Sequence, residues 1–465
     1  MRSGAALFAL AASLAACSIG PRYSRPNLDV PATYRAAADT TDSRPAIEAG
    51  WWEIYKDAVL QRLLRTALEQ NRDIRIAAAR VAEARAQVGI ARLGEIPNIS
   101  LSGSGQRGRI LQGRTYVTGA LFGASAQVSY EADLWQRLAS LSDAARASLL
   151  ATQSAQDNIR VSLISDVATA YFNLLALDQQ LRVTAQTVTA RERFLQLTQL
   201  KFRRGAASGL DVSRAEASLA LARANIPDLQ RQITQTENQL QILLGQNPAD
   251  VAREQLNLET LSTPPDIPPG VPSTLLERRP DLRQSEANLV AATANVRAAK
   301  AALFPTISLT GNFGVQSLEL SNLFEGPAKV WAVGLGLLQP IINAQRNGYQ
   351  VDAAEARRQQ ALLQYSQAVQ QAFREVSDAL AARTGYAEFR LAQEAQVNAL
   401  REASRRVLRR YEIGYSSYFE VIDADTALFN AELQLIQAYR NNLVALVQLY
   451  KVLGGGWQSE PAPPS

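Results

Sequence analysis

A chain that carries the same pattern twice, in register, must fold as two similar halves. Asp73-Ile74-Arg75, followed by Pro97-Asn98-Ile99-Ser100-Leu101-Ser102-Gly103, returns as Asp281-Leu282-Arg283 and Pro305-Thr306-Ile307-Ser308-Leu309-Thr310-Gly311, each at an offset of 208 positions. Gly205, Asp211, Val212, Ala215 and Glu216 return as Gly414, Glu420, Val421, Ala424 and Asp425, and Gly245 as Gly454, at an offset of 209. Chance likeness between Ala-rich helices would not keep register across strands and turns, so the duplication is real. The first copy runs over residues 51–260 and the second over 273–457. Between them, in 261–272, lies a Pro-rich linker, Thr263-Pro264-Pro265-Asp266-Ile267-Pro268-Pro269-Gly270-Val271-Pro272, able to form neither helix nor central strand. Residues 458–465 read as a flexible tail.

Each copy reads as helix, strand, strand, very long helix, turn, long helix. From Arg137 to Lys201 apolar residues recur three and four apart (Ile164, Ala168, Tyr171, Leu175; then Leu177, Leu181, Ala185, Val188) without Pro or Gly, and Gln350 to Tyr411 is its counterpart. Helices of that length reach roughly 100 Å, more than a globular domain needs. They belong to coiled coils, rods or the wall of a tube.

The strand segments decide among these. Asn98 to Gln106 and Ala120 to Asp133, then Thr306 to Gln316 and Lys329 to Ile342, alternate small, polar and apolar residues. Ser125, Gln127 and Ser129 share one face and Ala126, Val128 and Tyr130 the other. Trp331, Val333, Leu335 and Leu337 stand opposite Ala332, Gly334 and Gly336. Such strands match a transmembrane barrel; taken singly, each would equally serve a small soluble hairpin. Closure favours the barrel, because open sheet edges are not tolerated in hydrocarbon and four strands enclose no lumen. Three chains give twelve strands, and with them twelve helical rods that continue the barrel as a tube. The expected fold is therefore an α+β membrane protein: a trimeric 12-stranded β-barrel, four strands per chain from about 98–133 and 306–342, continued by a long α-helical barrel.

Composition removes most other functions. The chain has no His and one Cys, which excludes His-dependent acid/base chemistry, Cys/His metal sites and internal disulfides. A formal charge of +5 is spread without runs of like charge, which describes solvated helix faces and no nucleic-acid partner. No nucleophile elbow, phosphate loop or metal-ligand cluster is present, so no enzyme is expected. The single Cys ends an N-terminal apolar stretch too short to span a bilayer, and residues 1–16 read as a signal peptide. Leu14-Ala15-Ala16-Cys17 matches the lipobox of bacterial lipoproteins, in which Cys17 is acylated, and Ser18 after it favours sorting to the outer membrane. The alternative is an ordinary signal peptide with an incidental Cys. Acyl chains on Cys17 would anchor the extended segment 17–50 to outer-membrane lipid without spanning it.

Taken together, Cys17 with Gly20-Pro21 and Tyr23, Trp51-Trp52 through Asp57 and Leu60, Arg279-Pro280-Asp281-Leu282-Arg283, Pro97 and Pro305, Asp133-Leu134-Trp135 and the two turn motifs cover nearly the whole mature chain. In them the sequence resembles the outer-membrane factor family of the TolC and OprM type, in the lipoprotein branch that serves resistance-nodulation-division (RND) pumps. The resemblance implies a homotrimer in the outer membrane of a Gram-negative bacterium, with a periplasmic α-barrel and a mixed equatorial domain. It implies a periplasmic adaptor (membrane fusion) protein and an inner-membrane RND-type pump as partners. It implies no cofactor beyond the lipid on Cys17, no metal and no chemistry, only a conduit for drugs or other small toxic molecules. Within the same fold, an exit duct for type I protein secretion or for metal-cation export is the alternative. From another class, a lipid-anchored structural coiled coil predicts neither amphipathic strands nor conductance.

By the same resemblance, the turns Arg203 to Gly209 and Glu412 to Ser417 are the hairpin tips of the periplasmic entrance, where Gly205, Gly209 and Gly414 would meet the adaptor. Asp211 and Glu420 begin the following helices, where a carboxylate meets the positive end of the helix dipole, and capping alone would account for Asp211. Glu420 and Asp423, three apart, share a face and in a trimer would form two acidic rings at the closed entrance; a plain solvated face is the alternative. Tyr411 would hydrogen-bond Asp211 of a neighbouring chain and hold the tips shut. Thr426 and Ser416 stand where some relatives place Arg, which leaves Arg214 as a candidate for such contacts.

Overall fold

The computed structural model describes residues 19–28, 31, 34, 51–112, 114–253, 258–259, 261, 272–341 and 344–455. Cys17, the signal peptide, most of the segment 17–50, residues 262–271 of the linker and the tail lie outside them. Among the described residues the order is α1 (Ala58–Gln70), α2 (Arg72–Leu93), β1 (Asn98–Gln112), β2 (Thr115–Glu131), α3 (Arg137–Arg203), α4 (Gly209–Leu243), α5 (Pro272–Arg278), α6 (Pro280–Ala301), β3 (Thr306–Ser317), β4 (Lys329–Leu338), α7 (Ala344–Glu412) and α8 (Tyr418–Val452). The leading helix of each copy is split in two. At the first break Asn71 Oδ1 accepts from the amides of Asp73 (2.8 Å) and Ile74 (3.1 Å) and starts a new helix. At the second, Pro280 occupies the first helical position, where no amide is needed.

The chain divides into two compact units that cut across the repeats, each drawing on both copies. The first, comprising residues up to Leu28, Ala79–Ser154 and Leu282–Ala368, holds an antiparallel sheet in the order β1-β2-β3-β4. Three strands outrun their sequence estimates, at 15, 17 and 12 residues, while β4 stops at 10. The extra length of β1 and β2 lies in Arg107–Gln112 and Thr115–Gly119, where no clean apolar alternation marks a strand; cross-strand pairing from Arg107↔Ala120 to Gln112↔Thr115 makes it. The register assembles the two faces expected from alternation. Leu101, Ala126, Phe313 and Trp331 form one continuous row, and Ser102, Ser125 and Gly314 run beside it on the opposite face. The apolar face is bare: Leu101 is 85% exposed and Val333 80%. β1 and β4 end the sheet without a partner among the described residues, so both edges stay open.

The strand expected to reach Asp133 ends at Glu131, and Asp133-Leu134-Trp135 forms the joint between β2 and α3. Asp133 Oδ2 accepts from the Ala139 amide at 2.8 Å, and Trp135 Nε1 donates to the Pro305 carbonyl at 2.7 Å, fixing the start of β3. Residues 19–28 lie along α6, where Tyr23 Oη (2.7 Å) and Arg25 Nη2 (2.7 Å) donate to Glu286. α7 starts six residues before Gln350, because an established helix propagates through polar Ala344–Tyr349 at little cost.

The second unit, Asp29–Ala78, Ala155–Asp281 and Val369 onward, is helical, and its core is the apolar stripe read from α3: Ile164, Ala168, Tyr171 and Leu175 are buried against Leu60, Leu64, Leu446 and Val447. Leu177, Leu181 and Val188 are only half-buried, and Ala185 is exposed. The Trp51–Leu60 motif has its reason here. Buried Asp57 caps α1 through the Val59 amide at 2.8 Å, and its other oxygen accepts from Tyr171 Oη at 2.7 Å. Tyr171→Phe strands that oxygen and is expected to cost roughly 1 to 3 kcal/mol, read as a lower thermal midpoint.

The repeat survives as tertiary contacts. Gly245 and Gly454, both left-handed (φ 75° and 76°), press on the backbones of Gln70 and Arg278. Asn71 Nδ2 donates to the Leu243 carbonyl at 2.9 Å, and Arg279 Nη1 donates to Val452 at 3.1 Å, the same contact made by different side chains. Two interhelical ion pairs correspond with polarity reversed, Glu192–Arg223 in the first copy and Arg401–Glu432 in the second.

Candidate functional site at the helical hairpin tips

Two helical hairpins, α3–α4 and α7–α8, end in matching turns. α3 closes with Gly205 at φ 74°, while Ala206 N donates to Lys201 O at 2.8 Å; α7 closes with Gly414 at φ 87° and Tyr415 N donating to Arg410 O at 2.8 Å. Gly209 takes no part in the reversal. It is the first residue of α4, and its counterpart in α8 is Tyr418.

Both following helices open with a reciprocal capping box. Ser208 Oγ accepts from the Asp211 amide, and Asp211 Oδ2 accepts from the Ser208 amide at 3.0 Å; Ser417 and Glu420 repeat this, with 3.1 Å from the Ser417 amide to Glu420 Oε1. Capping therefore engages both predicted carboxylates within the chain. Backbone and hydroxyl hydrogen bonds from Ser417 hold the Glu420 carboxyl below its ordinary value, so it keeps its charge further into acid. Glu420 and Asp423 are both exposed. The spacing Ser-x-x-acid was present in the sequence at both turns; only the acid was singled out.

Tyr411 is buried. Its ring packs against Phe194 (5.5 Å between centroids) and Tyr418 (6.1 Å), and Phe194 stacks on Tyr418 at 5.7 Å. Lys201 Nζ lies 3.8 Å over the Tyr411 ring and donates to its carbonyl at 3.1 Å, so α3 is tied to α7. Burial raises the Tyr411 phenol above its usual pKa, a hydrogen bond with Thr198 opposes this, and nearby Asp211 adds to the rise. Tyr418 is pushed up to about 12, chiefly by burial.

Two residues missed in the sequence complete the tie. Arg191, 6% exposed in its side chain, donates from Nε to Asp425 Oδ2 at 2.9 Å and from Nη1 to the Ser218 carbonyl at 2.9 Å, joining α3, α8 and α4. Its guanidinium also lies 5.4 Å from the Phe429 centroid. An Arg facing an acid far along the chain has no local signature. Arg214, the open candidate, is exposed and lies over the Phe419 ring at 5.4 Å, while Ser416 and Thr426 are half-buried.

The geometry describes a pair of coupled hairpins with acidic leading turns. Among the described residues no three His, Cys, Asp or Glu side chains form a group able to hold a metal. The family model for outer membrane efflux proteins matches residues 63–246 and 271–455, one stretch in each copy. The chain belongs to the outer membrane efflux protein family. It is 36% identical over 458 residues to the probable efflux pump outer membrane protein TtgC of Pseudomonas putida, covering 96% of this chain and 94% of that one. It is 34% identical over 456 residues to the cation efflux system protein CusC of Escherichia coli, covering 97% and 98%. Among solved structures, the open state of the MtrE outer membrane channel of Neisseria gonorrhoeae superposes with a TM-score of 0.85 at 32% identity, over 95% of this chain and 98% of that one. The fold is accordingly that of the trimeric outer-membrane channels, and the function is that of an outer-membrane exit channel of an efflux pump.

Proposed function

We propose that the protein is a passive, water-filled duct, closed at rest by its hairpin tips, through which small toxic organic molecules leave the periplasm. Three chains complete the barrel, acylated Cys17 anchors each in the outer membrane, and the tips, with Gly205 and Gly414 in the turns and Gly209 opening α4, seat a periplasmic adaptor that links to an inner-membrane RND-type pump. The duct does no chemistry and uses no cofactor beyond the lipid. The single observation that carries this reading is the four-stranded sheet with one bare apolar face and two open edges. The mass of the purified protein in detergent and its conductance in a planar bilayer test it together. Three chains and discrete channels are expected, and a non-conducting monomer overturns it.

CusC is named a cation efflux system protein, which gives cation export as a second reading. With no His and one Met, this chain offers no soft-metal lining, so organic cargo is favoured.

At the entrance, Glu420 and Asp423 of three chains form two acidic rings. Glu420→Gln with Asp423→Asn is expected to lower the cation-to-anion permeability ratio several-fold in reversal-potential measurements. A latch between chains needs the Tyr411 hydroxyl, buried against Phe194 and Tyr418 within its own chain, to turn out toward a neighbour's Asp211. Tyr411→Phe with Asp211→Ala is expected to raise the open fraction; unchanged single-channel records and unchanged antibiotic permeability would remove the latch from this scheme.

A further inference from the structure

The outer end of the β1–β2 hairpin carries a cationic cluster that conduction does not require. Alternation and register place Ile99, Leu101, Gly103, Gly105, Arg107 and Arg109 on the same face of β1, the face that continues through Phe122, Ala126, Phe313, Trp331 and Leu335. This is the face turned to lipid. From the Ile307–Leu337 pair to the Phe122–Ser317 pair, ten residue-to-residue steps along β3 span roughly 34 Å, or about 26 Å of height at a barrel tilt of ~40°. That matches the apolar band of a transmembrane barrel. Arg107 lies two residues beyond Gly105, the partner of Phe122, and Arg109 two residues further. Both therefore point outward just past the hydrocarbon, at the strand end away from α2 and α3, at the level of the outer-leaflet head groups.

Three observations give the cluster a ligand. Arg107, Arg109 and Arg114 are exposed, and in residues 98–131 the only acid is Glu131, at the opposite end of the hairpin, where it pairs with Arg137. Among the described residues the hairpin end carries charge with no carboxylate of its own strands beside it; the acids at that end of the sheet are Glu319 and Glu325 of the β3–β4 connection. The Arg109 guanidinium sits 5.3 Å from the centroid of Tyr116, two residues along β2 from its pairing partner Thr118, so the ring restrains one cation and adds an aromatic group at the membrane boundary. Residues i and i+2 on one strand leave the backbone roughly 7 Å apart on the same face, so two long Arg side chains can reach more than one phosphate, and guanidinium grips phosphate through paired N–H donors.

We infer that Arg107 and Arg109, braced by Tyr116, form a docking site for the phosphate groups of the glycolipid that builds the outer leaflet, so that each chain holds lipid A against the barrel wall. The inference rests on the barrel reading, which alone makes this face the lipid face. Its test uses the full-length trimer in detergent, with bis-phosphorylated lipid A, the same lipid stripped of phosphate, and phosphatidylglycerol as probes, and retention followed by native mass spectrometry. Wild-type protein is expected to retain bis-phosphorylated lipid A at least tenfold better than either control. Arg107→Gln with Arg109→Gln should lose that preference, and Tyr116→Ala, which keeps both charges, should weaken it several-fold. Equal retention by the double variant overturns the proposal. Equal retention of phosphatidylglycerol at matched charge overturns the glycolipid assignment. Bilayer conductance of each variant, expected unchanged, shows that the barrel has formed; a wild-type protein without conductance would instead sink the barrel reading.

Discussion

Arg191→Met is expected to raise the resting open fraction of the channel at least tenfold. Arg191 joins α3, α4 and α8 near the tips, through Asp425 and the Ser218 carbonyl. Met keeps the stem's bulk and removes every donor. Asp425 then faces Phe194, Leu408, Val421 and Ile422 with its charge unmatched, although a third of its side chain still reaches water. Losing one partner of a fully buried pair costs 3 to 5 kcal/mol, so roughly 2 to 3 kcal/mol is expected for this half-buried one. Three copies act on the same closed state, and a tenfold change needs only about 1.4 kcal/mol in total. Single-channel recording reads the open fraction, and uptake of a large antibiotic by whole cells gives an independent measure. Asp425→Asn, which keeps a hydrogen-bond acceptor for Arg191, should shift the open fraction less. If both variants stay closed like the wild type, the tie is a packing contact and nothing more.

Gly245→Ala and Gly454→Ala are expected to be the most damaging single-methyl changes in the helical unit. Each glycine holds a left-handed backbone, which costs an L-residue about 1 kcal/mol by itself. At Gly245 the added carbon would stand 2.3 Å from the Gln70 carbonyl oxygen, so the end of α1 must move; at Gly454 the nearest atom, Arg278 O, is 3.1 Å away. Together these predict a loss of roughly 3 kcal/mol or more for Gly245→Ala and about 1 to 2 for Gly454→Ala. Thermal unfolding of the purified protein measures both. The order of the two variants is the sharper part, because identical loops in the two copies would make the losses equal.

Much of this architecture was legible because the chain states it twice. The offset of 208 to 209 positions marked both copies, and alternation in Trp331–Leu337 sorted one strand face from the other before any pairing was known. The long helices followed from the absence of Pro and Gly between Arg137 and Lys201. What stayed hidden was whatever depends on a distant partner. The outer halves of β1 and β2 are strands because each pairs with the other, and the role of Trp135 was invisible until the Pro305 carbonyl stood as an acceptor for its indole. At the tips the acids Asp211 and Glu420 were visible, but burial of Tyr411 against Phe194 and Tyr418 was not.

Local chemistry is written in the order of residues, so the sequence by itself determined the duplication, the two strand faces and the hairpin turns. Which copy donates which contact was decided only in three dimensions. Arg191 grips Asp425, whereas the matching position in the second copy is Leu400 and the counterpart of Asp425 is exposed Glu216. Two near-identical hairpins thus meet through an asymmetric tie. The physical reason is that a buried ion pair depends on separation in space rather than along the chain, and the fold brings together charges 234 positions apart.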